Sequence, residues 1–321
     1  MGHLVRCQAL AKILCERKHA GIWFITRTLG PHLERIKRDG YHLIAVPGNP
    51  GDREYAEAIA KTIGEYRLER LVLDLKHGFS TESAKLIAGN GTKVISLDDV
   101  SQGRKHFDDL IYPVAHADPS LINGSKAGAQ FVILREQILR ARLNGTKRAG
   151  RPPRVFAFFG GGDEAGIGLK VLTALSRLPV KTTLVKGRSY THQDELDELL
   201  GRPDIKAEIL TEPDDFAQRL AGADIALLAF GAVVYESAYL GVPFLTISHN
   251  QRNELDARRF CGLGVGRHLG PAWTLGADGV AEHVLQALAH PEILEQWSVA
   301  GRKLIDGRGA WRVADLIMEG I

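Results

Sequence analysis

The sequence predicts an α/β protein made of two doubly wound, Rossmann-like domains. Apolar runs of strand length alternate with amphipathic segments of helical length, an order typical of parallel sheets with helices on both faces. The alternation is interrupted at residues 144–154, where glycine, proline and basic residues without an apolar period are typical of a surface linker. The length of 321 residues also favours two domains, which are expected at residues 1–146 and 147–321.

The N-terminal half begins with an amphipathic helix at residues 4–19. Acidic residues lie at the ends of two of its predicted strands: Asp74 is near the end of one strand, and Asp98 and Asp99 follow another. We expect these side chains to line a crevice, because ligands of doubly wound sheets bind at the carboxyl ends of the strands. The predicted strands are 22–26, 43–46, 71–75 and 94–97, and the further helices are 31–38, 53–65 and 81–88.

The C-terminal half repeats the alternation, so that two doubly wound domains are expected to face each other across a cleft. A last helix at 311–318 is expected to be able to cross back to the first domain. The predicted strands are 155–159, 182–185, 207–210, 225–229 and 244–247, and the helices before the last are 167–177, 194–200, 214–220, 232–240, 254–261, 280–289 and 293–305.

Composition excludes several classes of protein. The chain is 45% apolar and 25% charged, with a net charge of +3 from 41 basic and 38 acidic residues, which does not favour nucleic acid as a partner. No apolar run is long enough to span a membrane, and no secretory signal is recognisable. The three cysteines, Cys7, Cys15 and Cys261, have no metal-binding spacing and are typical of a reducing cytoplasm. No metal or cofactor is predicted, and the oligomeric state is left open.

The segment 224–250 is expected to form a strand, a glycine turn, a helix and a second strand. Gly231 allows a ligand to approach the backbone. The free N–H groups of Ala232 and Val233 at the helix start would attract a phosphate. Glu236 lies one turn further, within reach of ribose hydroxyls. An ordinary βαβ unit with a glycine turn explains the same residues equally well.

A second glycine turn, Gly160-Gly161-Gly162-Asp163, also connects a predicted strand to a helix. Glycines at such a place allow a ligand or another segment to come close. The spacing matches neither a Walker loop nor the dinucleotide-binding fingerprint. A flexible turn without a ligand is the alternative.

Two histidines lie where a base could be useful. Gly2 and His3 open the first helix, where the positive end of the dipole favours a neutral imidazole. His249 and Asn250 follow a predicted strand. A structural role is the alternative for both histidines.

Together these segments resemble one family, the UDP-sugar hydrolase of the pseudaminic-acid pathway (PseG) and its spore-coat polysaccharide relatives (SpsG). Gly2 to Cys7 resembles the end of the motif Gly-x-Gly-His-x-x-Arg-Cys, and the other matches also occur in the family's order. They are residues 128–136, 159–163, 231–243 and 306–312. This resemblance implies the GT-B fold, which the family shares with MurG.

The resemblance also implies that a nucleotide-sugar, UDP-linked in this family, binds in the cleft and loses its nucleoside diphosphate. His3 would deprotonate water, and Asn250 would orient the water or the sugar. The other implied contacts to the nucleotide-sugar are Gly2, Gly160, Gly161, Asp163, Gly231, Ala232, Val233, Glu236 and His249.

The chain departs from the family's pattern in two places. Ala232 and Val233 replace a Ser-Thr pair, which removes two hydroxyl donors to phosphate. The family also has a strand before the histidine motif, and in a doubly wound sheet that strand is central. We therefore expect either that the natural protein starts upstream or that the first sheet has a gap.

Three functions are consistent with these observations. Hydrolysis of a UDP-activated deoxyamino sugar is placed first. A glycosyltransferase of surface polysaccharide synthesis, in which an acceptor hydroxyl replaces water, is the alternative within the same fold. A non-catalytic nucleotide-sugar binder is the third.

Overall fold

A computed structural model of the chain describes residues 2–18, 20–27, 33–75, 77–116, 125–142 and 151–319. Contacts divide the chain into two compact units, one of Met1–Arg135 with Gly307–Ile321 and one of Glu136–Asp306. The second unit begins before the predicted boundary at residue 146, because the helix Glu136–Ala141 packs on two helices of that unit. The predicted linker lies outside the described residues up to residue 150.

The helices and strands are numbered along the chain. The first part contains α1 (Gly2–Lys18), β1 (Trp23–Thr26), α2 (Glu34–Arg38), β2 (His42–Ala45), α3 (Arg53–Tyr66), β3 (Arg70–Leu73), α4 (Thr81–Ala88), β4 (Lys93–Leu97), β5 (Asp109–Tyr112) and β6 (Lys126–Ala127). The second part contains α5 (Glu136–Ala141), β7 (Arg154–Phe158), α6 (Ile167–Leu175), β8 (Lys181–Lys186), α7 (Gln193–Leu200), β9 (Ala207–Thr211), α8 (Phe216–Ala221), β10 (Ile225–Ala229), α9 (Ala232–Leu240), β11 (Phe244–Ser248), α10 (Gln251–Phe260), β12 (Arg267–Pro271), α11 (Ala277–Ala289), α12 (Pro291–Leu304) and α13 (Gly309–Met318). The last of these, α13, belongs to the first unit.

The second unit contains a six-stranded parallel sheet in the order β12-β11-β10-β7-β8-β9. Numbered within the unit, this is the doubly wound order 6-5-4-1-2-3, whose direction reverses between β7 and β10. Ligands of such sheets bind outside the carboxyl ends of the strands at this reversal. The central strands are apolar and buried, as expected for a sheet covered on both faces.

The first unit contains two separate parallel sheets, one of β2 and β1 and one of β3, β4, β5 and β6. Ile25 of β1 and Leu73 of β3 belong to the same apolar cluster, so both sheets cover one core. The doubly wound order of the second unit would place a further strand between β1 and β3, and none of the described residues forms one there. The predicted gap in the first sheet is confirmed.

Helix α1 packs against α13 and the sheet of β3 to β6. Leu10 and Leu14 of α1 share a buried cluster with Val313 and Ile317 of α13 and with residues of β4 and β5. This packing places the first turn of α1 near the carboxyl ends of β3 and β4. Among the described residues, no helix is both long and apolar enough to cross a membrane.

Candidate functional site

Three loops meet at one edge of the second unit's sheet. They follow the neighbouring strands β7, β10 and β11. Because these strands are parallel, their carboxyl ends lie along the same edge. The edge therefore collects the glycine turn of residues 160–163, the turn at Gly231, and the pair His249 and Asn250. With the exception of Glu236, the residues of this unit that the sequence predicts as contacts lie at this edge, at the reversal of strand order.

The helix α9 begins with exposed backbone. Gly231 and Ala232 are exposed, and the first turn has no acidic residue and no capping side chain. A Cβ atom at Gly231 would meet no atom within 4 Å, so there is open space before the helix. The first N–H groups of a helix have no partner within it, and the dipole adds partial positive charge. This helix start is thus suited to a phosphate group.

Glu236, predicted to contact a ribose, lies inside the protein. It is 3% exposed, and it interacts with another group of the protein. The helix α9 is apolar around most of its circumference, which is typical of a helix packed on several sides. A contact with ribose would require its carboxylate to be uncovered, and this role stays a prediction.

The glycine turn after β7 lies against the loop after β8. The N–H of Gly187 donates to the carbonyl of Gly161 at 3.0 Å, and that of Thr191 donates to Gly162 at 3.1 Å. A Cβ atom on Gly187 would lie 2.6 Å from Gly161 Cα. The glycines therefore serve a backbone-to-backbone approach of two loops. A ligand contact of Gly160 and Gly161 remains a prediction.

Asp163 holds the start of α6. Its two carboxylate oxygens accept hydrogen bonds from the N–H groups of Ile167 at 3.0 Å and Gly168 at 2.7 Å. Burial raises its pKa to about 6, although these two N–H groups act in the opposite direction. The carboxylate is occupied by the helix, so a direct contact with a nucleotide-sugar, as predicted, would compete with these two hydrogen bonds.

His249 and Asn250 are both exposed at the end of β11. Asn250 begins α10, because its Oδ1 atom accepts a hydrogen bond from the N–H of Asn253 at 2.9 Å. Its NH₂ group takes no part in this cap. Partial desolvation lowers the pKa of His249, and the negative charge of Glu164 acts against this.

In the first unit, His3 is paired with a buried carboxylate. Its Nδ1 atom lies 2.6 Å from Oδ1 of Asp74, the residue after β3. The side chain of His3 is 43% exposed and that of Asp74 is 1% exposed. Burial disfavours the charge on Asp74, but hydrogen bonds from His3 and Arg6 outweigh it and hold the pKa below its ordinary value. An ionised carboxylate only accepts, so Nδ1 carries the proton and a neutral imidazole has its lone pair on Nε2.

Arg6, one turn after His3, secures Asp74 in place. Its Nε donates to Oδ2 at 2.8 Å and its Nη2 donates to Oδ1 at 2.5 Å, a two-pronged ion pair. The contact of Nη2 with Nδ1 of His3 is 3.5 Å, too long to compete. The Oδ2 atom of Asp98, the residue after β4, lies 4.0 Å from Nη1 of Arg6.

Sequence reasoning placed His3 and named Asp74 only as a strand end. It attributed the state of the imidazole to the helix dipole, whereas the structure adds a carboxylate in direct contact. It assigned no role to Arg6, although Arg6 is part of the quoted motif. The position of Asp74 at a strand end indicated that it could belong to a site. Its pairing with His3 could not be predicted, because it depends on the packing of α1 on the sheet.

A scan against models of protein families finds no match. The chain is 22% identical to the spore coat polysaccharide biosynthesis protein SpsG of Bacillus subtilis (strain 168) over 331 aligned residues. The alignment covers 99% of this chain and 94% of SpsG. The similarity therefore extends over nearly the whole length of both proteins.

Several solved structures have the same fold. MurG of Acinetobacter baumannii superposes with a TM-score of 0.70 at 16% identity, covering 99% of this chain and 96% of MurG. A glycosyltransferase from Rickettsia africae ESF-5 superposes with a TM-score of 0.69 at 13% identity, covering 99% of this chain and 95% of the glycosyltransferase. MnaA of S. aureus, solved with UDP, superposes with a TM-score of 0.68 at 12% identity, covering 99% of this chain and 93% of MnaA. The chain is similar to SpsG along its length and has the GT-B fold, as the sequence motifs predicted.

Proposed function

We propose that the chain is a nucleotide-sugar glycosyltransferase that uses a UDP-activated sugar. The diphosphate would bind the first N–H groups of α9. His3 Nε2 would take the proton from an acceptor hydroxyl as its oxygen bonds to the anomeric carbon. The bond from that carbon to the diphosphate would break, and the electron pair would leave with UDP.

The observation that carries this proposal is the hydrogen bond of 2.6 Å between His3 and Asp74. A base must expose a lone pair and must become a better proton acceptor as the hydroxyl ionises. Asp74 supports both, because it fixes the proton on Nδ1 and stabilises the imidazolium that forms after transfer. The 43% exposure of the His3 side chain leaves it accessible to a substrate.

The exposed start of α9 supports the proposed binding of the diphosphate. A nucleoside diphosphate is a good leaving group, so charge stabilisation matters more than protonation. Backbone N–H groups fixed at a helix start can stabilise this charge as it develops. Ala232 and Val233 provide N–H groups but no hydroxyl, so binding relies on the backbone.

Hydrolysis, placed first by the sequence motifs, is the second candidate. The same Nε2 atom can accept a proton from water, so the base does not distinguish the two reactions. Transfer is favoured by the comparisons, because SpsG is a spore coat polysaccharide biosynthesis protein and the similar Rickettsia protein is a glycosyltransferase.

Release of UDP from a panel of UDP-sugars, with and without saccharide acceptors, separates the candidates. We expect slow release from the donor alone and faster release with one acceptor, together with a larger saccharide product. Full turnover without acceptor would reject transfer in favour of hydrolysis. Binding of UDP-sugars without turnover under any condition, with His3→Gln indistinguishable from the unchanged protein, would indicate a non-catalytic binder.

A further inference from the structure

Trp273 is an exposed aromatic residue in a turn of the second unit. It follows β12, and 57% of it is exposed, the largest value among the exposed large apolar residues of the described chain. Its neighbour Ala272 is buried, so the turn is attached to the core while the indole faces outward. An indole is expensive to leave in water, and such residues frequently mark binding surfaces.

The position of Trp273 relates it to the candidate site. Strands β11 and β12 are parallel, with Ser248 opposite Pro271. The N–H of Ala272 donates to the carbonyl of Ser248 at 2.8 Å. Trp273 therefore leaves β12 at the same edge at which His249 and Asn250 leave β11. An exposed indole and an exposed amide side chain follow neighbouring strands at this edge.

The turn that carries Trp273 is fixed by several hydrogen bonds. The N–H groups of Thr274 and Leu275 both donate to the carbonyl of Pro271, at 3.1 and 3.2 Å. Lys170 of α6, the helix after the glycine turn, donates to the carbonyl of Ala272. A rigid backbone lowers the entropy lost when a ligand binds.

We propose that Trp273 is a stacking platform for a pyranose ring of a substrate. A pyranose has a face of C–H groups that packs on an aromatic plane, while its hydroxyls need hydrogen-bond partners at the rim. The indole offers the apolar surface, and the NH₂ group of Asn250 is a donor at the same edge. This inference rests on the proposed glycosyl transfer. The ring belongs either to the sugar of the donor or to a saccharide acceptor, and the experiment separates these sources.

The test uses the variants Trp273→Ala and Trp273→Phe, with Leu285→Ala as the control. Leu285 is an exposed apolar residue of α11, 47% exposed. We measure KM and kcat for the UDP-sugar and for the acceptor, and the affinity for UDP alone. In Trp273→Ala we expect KM to rise about 10-fold for one of the two substrates, with kcat within about threefold and UDP affinity unchanged.

A larger KM for the donor assigns the platform to the transferred sugar, and a larger KM for the acceptor assigns it to the saccharide that receives it. Trp273→Phe should regain most of the loss because it keeps an aromatic plane, and Leu285→Ala should match the unchanged protein. Unchanged KM values in Trp273→Ala, or an equal loss for UDP alone, would overturn the platform while leaving the proposed function intact. Absence of UDP-sugar turnover in the unchanged protein would overturn the proposed function, and the platform with it.

Discussion

The Nδ1 atom of His3 lies 2.6 Å from the carboxylate of Asp74, although 71 positions separate them in the chain. Arg6 binds both oxygens of the same carboxylate. The carboxylate is thereby kept ionised and oriented, and it fixes which imidazole nitrogen carries the proton. Under the proposed function, the chemistry of the first unit depends on this pair.

The first prediction concerns Asp74→Asn. The amide can donate to Nδ1 and so favours the tautomer with the proton on Nε2, which cannot act as a base. We expect kcat to fall by about 100-fold or more, with UDP affinity unchanged. Steady-state kinetics and UDP titration measure the two effects.

Folding must be checked in the same variant, because Arg6 loses its ionised partner. Circular dichroism melting serves this purpose. His3→Gln is the reference, since residues that act as a unit have non-additive effects. The double variant with both His3→Gln and Asp74→Asn should have a kcat no lower than that of His3→Gln alone. A kcat of Asp74→Asn within about threefold of the unchanged protein, or additive losses, would contradict the pairing.

The second prediction concerns the pH dependence of stability at Asp163. Its pKa is raised to about 6 in the folded protein, mainly by burial. A raised pKa means that the folded state binds the proton more tightly than the unfolded chain. The contribution of this group is therefore complete below the unfolded value of about 3.9 and is lost as the pH rises through about 6.

Urea denaturation of the unchanged protein and of Asp163→Asn at pH 4.5 and 7 measures the contribution of Asp163 protonation to stability. The free energy of unfolding of the unchanged protein, relative to the variant, should be greater at pH 4.5 by roughly 1–2 kcal/mol. The effects of the other carboxylates on stability are the same in both proteins and cancel in this comparison. An equal difference at both pH values, or a larger one at pH 7, would refute the raised pKa.

The third prediction concerns the proposed phosphate site at the start of α9. In Ala232→Glu a carboxylate occupies the first turn of the helix and repels the diphosphate. We expect UDP affinity to fall about 10- to 100-fold, while the helix gains about 0.3–1 kcal/mol from the favourable dipole interaction. Calorimetric titration with UDP and thermal melting measure these opposite effects.

Ala232→Gln is the matched control, because it has a similar shape without the charge and should retain most of the affinity. Ala232→Ser adds a hydroxyl, as in the motif that this segment resembles, and should bind UDP about two- to fivefold more tightly. Equal affinities in the Glu and Gln variants would place the diphosphate elsewhere.

The fourth prediction concerns Gly309, the first residue of α13. A Cβ atom at this position would lie 2.1 Å from the carbonyl oxygen of Val132. Gly309→Ala should destabilise the first unit by about 1–3 kcal/mol, because helix and backbone would have to separate. Gly64 of α3 is the matched control, since a Cβ atom there meets nothing within 4 Å.

Chemical denaturation of both glycine variants provides the measurement. Gly64→Ala should stabilise by about 0.5–1 kcal/mol, because alanine is the better helix former. A Gly309→Ala protein as stable as Gly64→Ala would show that the approach of α13 to Val132 is not as close as the structure describes.

Much of the fold follows from local patterns. Alternating apolar runs and helical segments predict the strands β7 to β11, because each run is of strand length and is bounded by turn residues. Strand β12 was missed, since Arg267–Pro271 contains Gly270 and Pro271, and such residues occur in strands mainly at edges. Its position at the sheet edge agrees with this reason.

The candidate site was predictable only in part. Glycine turns and helix starts are local, so the phosphate site at Gly231 could be proposed from sequence. The hydrogen bonds from Ile167 and Gly168 to the Asp163 carboxylate are local, four and five residues along the chain, so an acidic residue before a predicted helix could have indicated them. The pairing of His3 with Asp74 depends on how α1 packs on the sheet, which no local pattern encodes. The place of α5 in the second unit likewise results from its packing on α8 and α9.

A crystal structure of the protein with a UDP-sugar tests the central claim most directly. We expect diphosphate oxygens about 2.9 Å from the N–H groups of Ala232 and Val233, and Nε2 of His3 turned toward the anomeric carbon, with Nδ1 on Asp74. A diphosphate bound away from the start of α9, or a His3 ring directed away from the sugar, would contradict the account.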